Sequence, residues 1–519
     1  MILSSCDLPL NGYCHDSLES RKMEERKGIE NEKINKYACA SAIVASMISI
    51  IFGYETGVMS GALIFIKEDL KITELQVEVL GGIINFCALI GALSAGRTSD
   101  YIGRRYTICL ASAIFFSGSL LMGFAPNFAL LLTGRCVAGI GVGFALVIAP
   151  VYSVEISAAS TRGILASLPE IGISLGILFG YISSYFFGKL PLHTGWRVMF
   201  AIGAVPSLGL AFGILGMPES PRWLVMQGRL KDAKTVLSKV SNTEAEAESR
   251  LLDIKLAAGI DPDCNDDHVI TPNQNTSGQG IWKEILLRPT PQVRWMLLAA
   301  LGIHFFEHAT GIEAVILYSP RIFKKAGVKS KNKLLLATIG VGITKTVFIS
   351  ISSFLIDKTG RRKLLLASVG GMIVALFGLG SALTIVEQSP DQKVVWALWL
   401  SIATCYLYVM FFLNWACTSD MVLRYFPLKL RAQGASIGVA VNRVTNATVS
   451  MTFLSLIKAI TIGGAFFMFG GISVLAWIFF FFFLPETKGK SLEEMEQVFT
   501  RNKKSRIVDM ESQIKNEDL

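Results

Sequence analysis

Long apolar stretches dominate this 519-residue chain and constrain its fold more than any other feature. Twelve of them reach the length of about 20 mostly apolar residues that a membrane-spanning helix needs. The composition agrees, because 52% of the residues are hydrophobic, only 17% are charged and the mean hydropathy is +0.50. The sequence therefore predicts an all-α multi-pass membrane protein with twelve transmembrane helices, whose cores lie near 38–66, 77–96, 106–124, 128–152, 164–188, 196–216, 295–318, 334–356, 364–386, 394–417, 435–457 and 463–484.

The chain contains an internal repeat. The segment DYIGRR, Asp100 to Arg105, matches DKTGRR, Asp357 to Arg362, and each follows the second apolar stretch of a group of six. PESPRW at Pro218 and PETKGK at Pro485 form a second pair, each after a sixth stretch. We therefore predict two pseudo-symmetric six-helix halves. Repeated halves around a midplane site are typical of secondary transporters, because two similar bundles that rock against each other expose one site alternately to either side.

The polar segments divide the chain and predict its orientation. The predicted parts are an N-terminal tail 1–36, a six-helix bundle 37–217, a central loop with short helices 218–294, a second six-helix bundle 295–484 and a C-terminal tail 485–519. Lys and Arg are concentrated in the tails and the central loop, so the positive-inside rule predicts that all three are cytosolic. The net charge of +9 is therefore attributed to membrane topology. Because the basic residues are dispersed over several loops and tails and form no single patch, we expect no nucleic-acid partner.

One acidic residue stands within the first apolar stretch. In FGYETGVMSG, Glu55 lies inside a run that is otherwise apolar from Tyr37 to Ile66. An ionised, unpaired carboxylate in hydrocarbon costs several kcal/mol, so such a residue normally faces a cavity, pairs with a cation or binds a proton. A proton carrier and a permanently protonated or capped structural residue are the two interpretations.

Seven motifs occur in order along the chain: GYETGVMSGA, GRTSDYIGRR, GRCVAGIGVG, PESPRW, TGIEAVILYSPRIF, DKTGRRK and PETKGKSLEE. Together they resemble the sugar porter family of the major facilitator superfamily, which implies the major facilitator fold, and the match covers nearly the whole membrane region. Within that family, VNRVTNATVS and GIHFFEHATGIEAVILYSP are most similar to the plant polyol and monosaccharide transporters.

This resemblance implies proton-coupled symport of polyols or monosaccharides by alternating access, with no enzymatic activity and no cofactor beyond the coupled proton. The implied partners are a small polyol or hexose, protons and the lipid bilayer. The resemblance also implies a monomer with both termini in the cytosol, in the plasma membrane or alternatively in the vacuolar membrane. A facilitative uniporter and a receptor that binds without translocating are the alternatives.

The resemblance assigns roles to individual residues. The family usually has Asp at the position of Glu55, where it carries the coupled proton, and Arg135 corresponds to its charge partner. The implied substrate-binding residues are Phe52, Glu170, Glu307, His308, Glu313, Tyr318 and Asn442. The family usually has two glutamines at 307 and 308 and Asn or Asp at 313, so an unusually acidic site is implied.

One of these assignments requires a break in a helix, and another has an alternative explanation. Glu307 and Glu313 are six residues apart, which does not place them on one face of an ideal helix, and Gly311 between them predicts that the helix unwinds there. Asn442 has the alternative role of a hydrogen bond between helices that is unrelated to substrate.

The two DxxGRR loops predict a charged latch. An Asp near a helix end, a Gly for the turn and two Arg residues suit a polar contact between cytosolic helix ends, which holds one conformation until the bundles rock. The latch residues are Asp100, Arg104, Arg105, Glu155, Asp357, Arg361 and Arg362. Simple topology signalling by positive charge is a compatible alternative, and neither role is a substrate site.

A different class of protein is suggested by HFFEH, His304 to His308, which matches the inverted zinc-peptidase pattern H-x-x-E-H. On a helix, the two histidines share a face and Glu307 would act as general base. No third ligand is identifiable, and the nine cysteines form no C-x-x-C pair. We therefore expect no metal site, and the membrane peptidase stays a remote alternative.

The tenth stretch departs from the family pattern. The family has Gly-Pro, then Trp, then Ser-Glu before Phe-Pro, whereas this chain has NWACTSDMVLRYFP from Asn414 to Pro427. Arg424 stands where the latch requires Glu, and it would repel Arg361 and Arg362. This departure favours the receptor alternative, unless the sequence contains an error.

We predict a local reading-frame or splice error in this stretch. Trp415-Ala416 read one base later can give Gly-Pro, and Asp420-Met421-Val422 can give Thr-Trp. Resequencing of the transcript tests the prediction, and an unaltered NWACTSDMVLR would contradict it.

Overall fold

The structure is a computed structural model that describes residues 35–158, 161–258, 260–261, 289–389, 394–412 and 431–486. The first half consists of α1 (Lys36–Leu70), α2 (Glu74–Ile102), α3 (Arg104–Gly123), α4 (Phe128–Ile156), α5 (Arg162–Phe187), α6 (Leu192–Ile202) and α7 (Ala204–Leu215). Three shorter helices follow: α8 (Pro221–Met226), α9 (Leu230–Val240) and α10 (Glu244–Ala258). The second half consists of α11 (Pro291–Ala309), α12 (Ile312–Lys325), α13 (Lys331–Thr359), α14 (Arg361–Gln388), α15 (Val395–Phe412), α16 (Arg431–Ile460) and α17 (Ile462–Phe483).

The described residues contain ten spans that are long and apolar enough to cross a membrane, with α6 and α7 forming one of them. The seventh and eleventh predicted spans correspond to the pair α11 and α12 and to α16. The prediction of an all-α multi-pass fold is confirmed. The unusual stretch 414–427 lies outside the described residues, so the predicted sequence error stays a prediction.

Glycines let α1 and α5 approach at backbone contact distance. A Cβ atom on Gly53 would lie 2.0 Å from the carbonyl oxygen of Ile173, and one on Gly176 would lie 2.1 Å from that of Ile50. Any side chain at these positions would push the helices apart. Small residues at helix interfaces give this close packing in membranes. The contact fixes the relative depth of the site residues that α1 and α5 carry.

The seventh span is broken, as predicted. α11 ends at Ala309, α12 begins at Ile312, and Gly311 between them has a φ of +93°, a left-handed conformation that favours glycine. A Cβ atom on Gly311 would also lie 2.6 Å from the ring of Phe469. The predicted unwinding at Gly311 is therefore confirmed, and the break turns Glu307 and Glu313 toward a common region.

Two tyrosines satisfy carbonyl groups near this break. Tyr408 donates to the carbonyl oxygen of Thr310 over 3.0 Å, just before Gly311. Tyr181 donates to the carbonyl oxygen of Ile316 over 2.8 Å. In a regular helix the Ile316 carbonyl would accept from residue 320, but Pro320 has no N–H. The Tyr181 bond therefore replaces a missing helical bond and joins the two halves.

Further polar pairs join the halves at the end of the bundle opposite Lys36. Arg321 contacts Glu74 at 2.6 Å, and Lys331 contacts Glu68 at 2.6 Å. In addition, the N–H and hydroxyl groups of Ser455 each donate to a carboxylate oxygen of Glu78 over 2.6 Å. Each pair takes one residue from each half, so the structure is closed at this end.

The first predicted latch segment forms a compact charged cluster within the first half. The Arg104 guanidinium contacts Asp100 at 3.3 Å and Glu155 at 3.0 Å. Arg105 donates to the carbonyl oxygen of Met217 over 3.4 Å. These contacts connect α2, α3 and α4 with the segment that follows α7.

The second latch segment is described only in part. Arg362 donates to the carbonyl oxygen of Phe481 over 2.7 Å, and Arg361 is buried. The side chain of Asp357 lies outside the described residues. A contact between the two latch segments therefore stays a prediction.

The PESPRW segment caps two helices. Gly103 gives α3 no side-chain cap, and the Glu219 carboxylate accepts instead from the N–H groups of Arg104 over 2.9 Å and Arg105 over 3.2 Å. A carboxylate suits a helix N-terminus, where N–H groups lack helical partners. Burial raises the pKa of the Glu219 carboxyl above its ordinary value, and N–H groups from Ser220, Arg105 and Arg104 oppose that rise. The next residue, Ser220, caps α8.

We expect Glu219→Ala to lower the free energy of unfolding by about 0.5 to 2 kcal/mol, because it removes the acceptor for the first N–H groups of α3. Glu219→Gln retains an acceptor oxygen and should lose less. Thermal unfolding in detergent measures the difference, with the exposed Glu248→Ala as control. Equal unfolding midpoints for Glu219→Ala and wild type would contradict the capping role.

Candidate functional site

A polar cavity lies between the two halves and brings most of the predicted substrate residues together. α1 and α5 contribute residues from the first half, and α11 and α12 contribute residues from the second. The predicted residues that line it are Phe52, Arg135, Glu170, Glu307, His308 and Glu313. The remaining predicted residues, Glu55, Tyr318 and Asn442, contact these residues or the helices around them.

Glu55 and Arg135 form a buried ion pair between α1 and α4. The Glu55 side chain is 0% exposed and that of Arg135 is 1% exposed, with 3.7 Å between Oε2 and Nη1. Ser119 donates to Oε1 of Glu55 over 2.9 Å, and Arg135 Nε donates to the carbonyl oxygen of Leu80 over 3.3 Å. Within the described part of the chain, Oε2 and Nη1 have no hydrogen-bond partner.

The geometry of this buried ion pair is not optimal. A buried ion pair is stable only when its geometry is good, because removing two charges from water costs several kcal/mol per ion. At 3.7 Å the pair attracts without the hydrogen bond that would hold it fully ionised. Arg135 also lines the cavity, so one residue contacts Glu55 and reaches the space between the two halves.

The carboxylates of the second half have partners within that half. Asn442 Nδ2 donates to Glu307 Oε2 over 2.9 Å, and His304 Nδ1 lies 3.4 Å from the same oxygen. His308 Nδ1 lies 3.6 Å from Glu313 Oε1. Asn442 therefore does make a hydrogen bond between helices, as its alternative role requires, and that bond ends on a predicted substrate residue.

Two cations in the cavity were not predicted. Lys345 of α13 and Arg443 of α16 both line it. Lys345 interacts electrostatically with Glu313 and Glu170, and Arg443 interacts with the same carboxylates. The implied acidic site is therefore partly neutralised. The signal that identified Glu55, a charge within an apolar stretch, is also present at Lys345 and Arg443.

Tyr318 lies at the wall of this region on α12. Its side chain is buried, its hydroxyl donates to the carbonyl oxygen of Ser450 over 2.8 Å, and its ring stacks on Phe453 at 5.4 Å between centroids. A Cβ atom on Gly81 of α2 would lie 3.1 Å from the Tyr318 hydroxyl. Tyr318 therefore packs on α16 of its own half and, through its hydroxyl, against α2 of the opposite half. This is the position expected of a gate or wall residue.

The two histidines of the HFFEH segment lie beside different carboxylates, whereas a zinc peptidase would direct both to one metal ion. His304 is directed to Glu307, whereas His308 lies beside Glu313. A Cβ atom on Gly438 would lie 2.4 Å from the His304 ring, so α16 packs directly on this histidine. In the part of the chain that the structure describes, no group of three or more His, Cys, Asp or Glu residues is arranged to hold a metal ion.

Comparison with known proteins agrees with this architecture. Among curated proteins of Arabidopsis thaliana, "Probable polyol transporter 6" is 64% identical over 475 residues, which cover 90% of this chain and 95% of the relative. "Polyol transporter 5" is 57% identical, over 90% of this chain and 87% of the relative.

Solved structures share the fold. The proton:xylose symporter XylE of the major facilitator superfamily, bound to 6-bromo-6-deoxy-D-glucose, has a TM-score of 0.73 and 26% identity, covering 90% of this chain and 100% of that chain. The inward-open xylose transporter XylE from E. coli has a TM-score of 0.71 and 25% identity, covering 89% of this chain and 100% of that chain. These matches confirm the predicted major facilitator fold.

A family model described as "Sugar (and other) transporter" matches residues 41–499. The match includes both halves and every predicted site residue. The relatives are transporters, so the peptidase alternative is set aside. This chain is a multi-pass membrane protein that belongs to the sugar (and other) transporter family.

Proposed function

We propose that this protein is a proton-coupled symporter of polyols or monosaccharides that works by alternating access. The observation that carries the proposal is the buried Glu55–Arg135 pair, whose arginine also lines the cavity between the halves. The names of the Arabidopsis relatives support a polyol as substrate, and the xylose symporter supports coupling to protons.

In the proposed cycle, Glu55 binds a proton from the side of higher proton concentration. Protonation cancels the attraction to Arg135, whose guanidinium then lacks a counter-charge on that side. Because Arg135 lines the cavity, its guanidinium then interacts with substrate there. Release of the proton to the other side restores the pair, so proton and substrate move together.

Substrate recognition requires convergent donors and acceptors, since a polyol offers only hydroxyl groups and each buried unpaired hydroxyl costs about 1 to 3 kcal/mol. The cavity supplies carboxylate acceptors from Glu170, Glu307 and Glu313 and an amino-group donor from Lys345. A hydroxyl group both donates and accepts, so it suits a mixed set of this kind. Phe52 supplies an apolar surface for the carbon chain.

The proposal includes the orientation and location. Both tails and the central loop lie in the cytosol, which the concentration of Lys and Arg in those segments supports. The closed end that joins Glu74 to Arg321 then faces outward. We further propose a monomer in the plasma membrane. The receptor alternative rests on residues 414–427, and an uptake measurement decides between the two.

The first test concerns Glu55. Uptake should rise as the external pH falls, carry inward current and collapse with a protonophore, because loading requires a proton from outside. Glu55→Gln permanently resembles the protonated form, so it should lose concentrative uptake while it retains exchange of substrate. Accumulation of labelled sorbitol, inositol and glucose in a transport-deficient yeast measures this, with and without protonophore.

The exposed Glu248→Gln is the matched control and should behave as wild type. Arg135→Leu should abolish accumulation, because an ionised Glu55 would then lack its counter-charge and proton release becomes unfavourable. Full concentrative uptake by Glu55→Gln would show that this carboxylate is structural.

The second test concerns Glu307. Glu307→Gln should retain binding or change the preference among polyols, because the amide oxygen still accepts from Asn442 and from hydroxyl groups. Glu307→Leu leaves these groups unpaired and should weaken affinity about 10- to 100-fold. Competition binding with purified protein measures both variants, and Glu248→Leu is the control. If Gln and Leu behave alike, Glu307 does not contact substrate.

A further inference from the structure

A chain of buried polar side chains crosses from one half to the other beside the cavity. Arg443 Nη1 donates to Oδ1 of Asn85, on α2 of the first half, over 3.4 Å. Arg443 Nε donates to Oδ1 of Asn442 over 2.9 Å, and Nη2 donates to the same oxygen. Asn442 Nδ2 in turn donates to Glu307. The side chains of Asn85, Asn442 and Arg443 are all more than 90% buried.

The chemistry of Arg443 fixes the orientation of the Asn442 amide. A guanidinium has donors and no acceptor, so the amide must turn its oxygen toward Arg443. The amide NH2 group is then directed to Glu307, a carboxylate that only accepts when ionised. Rotation of the amide by 180° would place donor against donor and acceptor against acceptor. Without Arg443, the oxygen of the Asn442 amide loses its donor in this chain of contacts, and the amide is held only from the Glu307 side.

The orientation matters for Glu307. Its Oε2 receives Asn442 and lies near His304, so the carboxylate is held in one position in the cavity wall. The buried His304 packs against Gly438 of α16, the helix that also carries Arg443 and Asn442. α16 therefore packs against α11 and also carries the residues that orient the Glu307 carboxylate of α11.

We propose that Arg443 is a positioning residue that orients Asn442 toward Glu307 and connects this arrangement to the first half through Asn85. The proposal rests on the proposed function, in which Glu307 contacts substrate. Arg443 acts through Asn442 on the substrate site, while its bond to Asn85 stabilises the conformation seen in this structure. Loss of the Asn85 bond alone should therefore change the rate of transport and weaken substrate affinity less than loss of Arg443 does.

A double-mutant cycle tests the positioning step. Arg443→Leu should weaken sorbitol or inositol binding about 10-fold or more, because Asn442 Oδ1 loses its two hydrogen bonds and the amide is then held only by Glu307. A glutamine at position 307 both donates and accepts, so either amide orientation satisfies it. In the Glu307→Gln background, Arg443→Leu should therefore weaken binding by less than about 3-fold. Arg294→Leu, at an exposed arginine of the same half, is the matched control.

Asn85→Ala separates the two roles of Arg443. Asn85 lines the cavity, but Asn442 keeps its two bonds to Arg443 in this variant. Its dissociation constant should therefore rise less than that of Arg443→Leu, while the maximal uptake rate should change about 2- to 10-fold. A dissociation constant that rises as much in Asn85→Ala as in Arg443→Leu would overturn the proposal.

A measurement without substrate keeps the inference separate from the proposed function. The thermal unfolding midpoint of the four cycle proteins in detergent should show the same non-additivity, since an unpaired Asn442 destabilises the fold itself. If wild type binds no polyol but the unfolding cycle is coupled, the proposed function fails and the positioning role stands. Additive effects in unfolding would overturn the positioning role, whatever wild type binds.

Discussion

The high free energy of a charge in an apolar environment organises the centre of this protein. Within the described helices, seven ionisable residues are gathered around one cavity. Glu55 faces Arg135, and the carboxylates of the second half face His304, His308, Lys345 and Arg443. Each group would be unstable alone in hydrocarbon, so the helices within each half must pack in the arrangement that brings opposite charges together.

The break in the seventh span shows how irregular backbone is accommodated at the same depth. Gly311 ends one helix, and Pro320 removes a donor from the next. The carbonyl groups that these residues leave free are taken by Tyr408 and Tyr181. Unpaired carbonyls are tolerated in a membrane protein only where protein groups satisfy them. The broken helix is therefore supported from both halves, and its break brings Glu307 and Glu313 to the cavity.

Polar contacts at the two ends of the bundle have different arrangements. At the end opposite Lys36, Glu68, Glu74 and Glu78 contact Lys331, Arg321 and Ser455 across the halves. At the other end, the cluster around Arg104 and Glu155 lies within the first half. A transporter that alternates between two states needs contacts that form at one end and open at the other, and the described contacts fit one of those states.

The sequence by itself determined the helical class, the repeat of two halves, the break at Gly311 and the presence of an isolated carboxylate, Glu55, in an apolar stretch. These follow from local properties: the length of apolar stretches, the backbone freedom of glycine and the cost of an isolated charge. Only the tertiary structure decided which groups meet. Ser119 joins Glu55 from 64 positions away, Arg443 joins Asn85 from 358 positions away, and Glu219 caps α3 from another segment. Such partners depend on helix packing, which hydrophobic periodicity does not specify, because a lipid-facing helix and a cavity-facing helix have nearly the same composition.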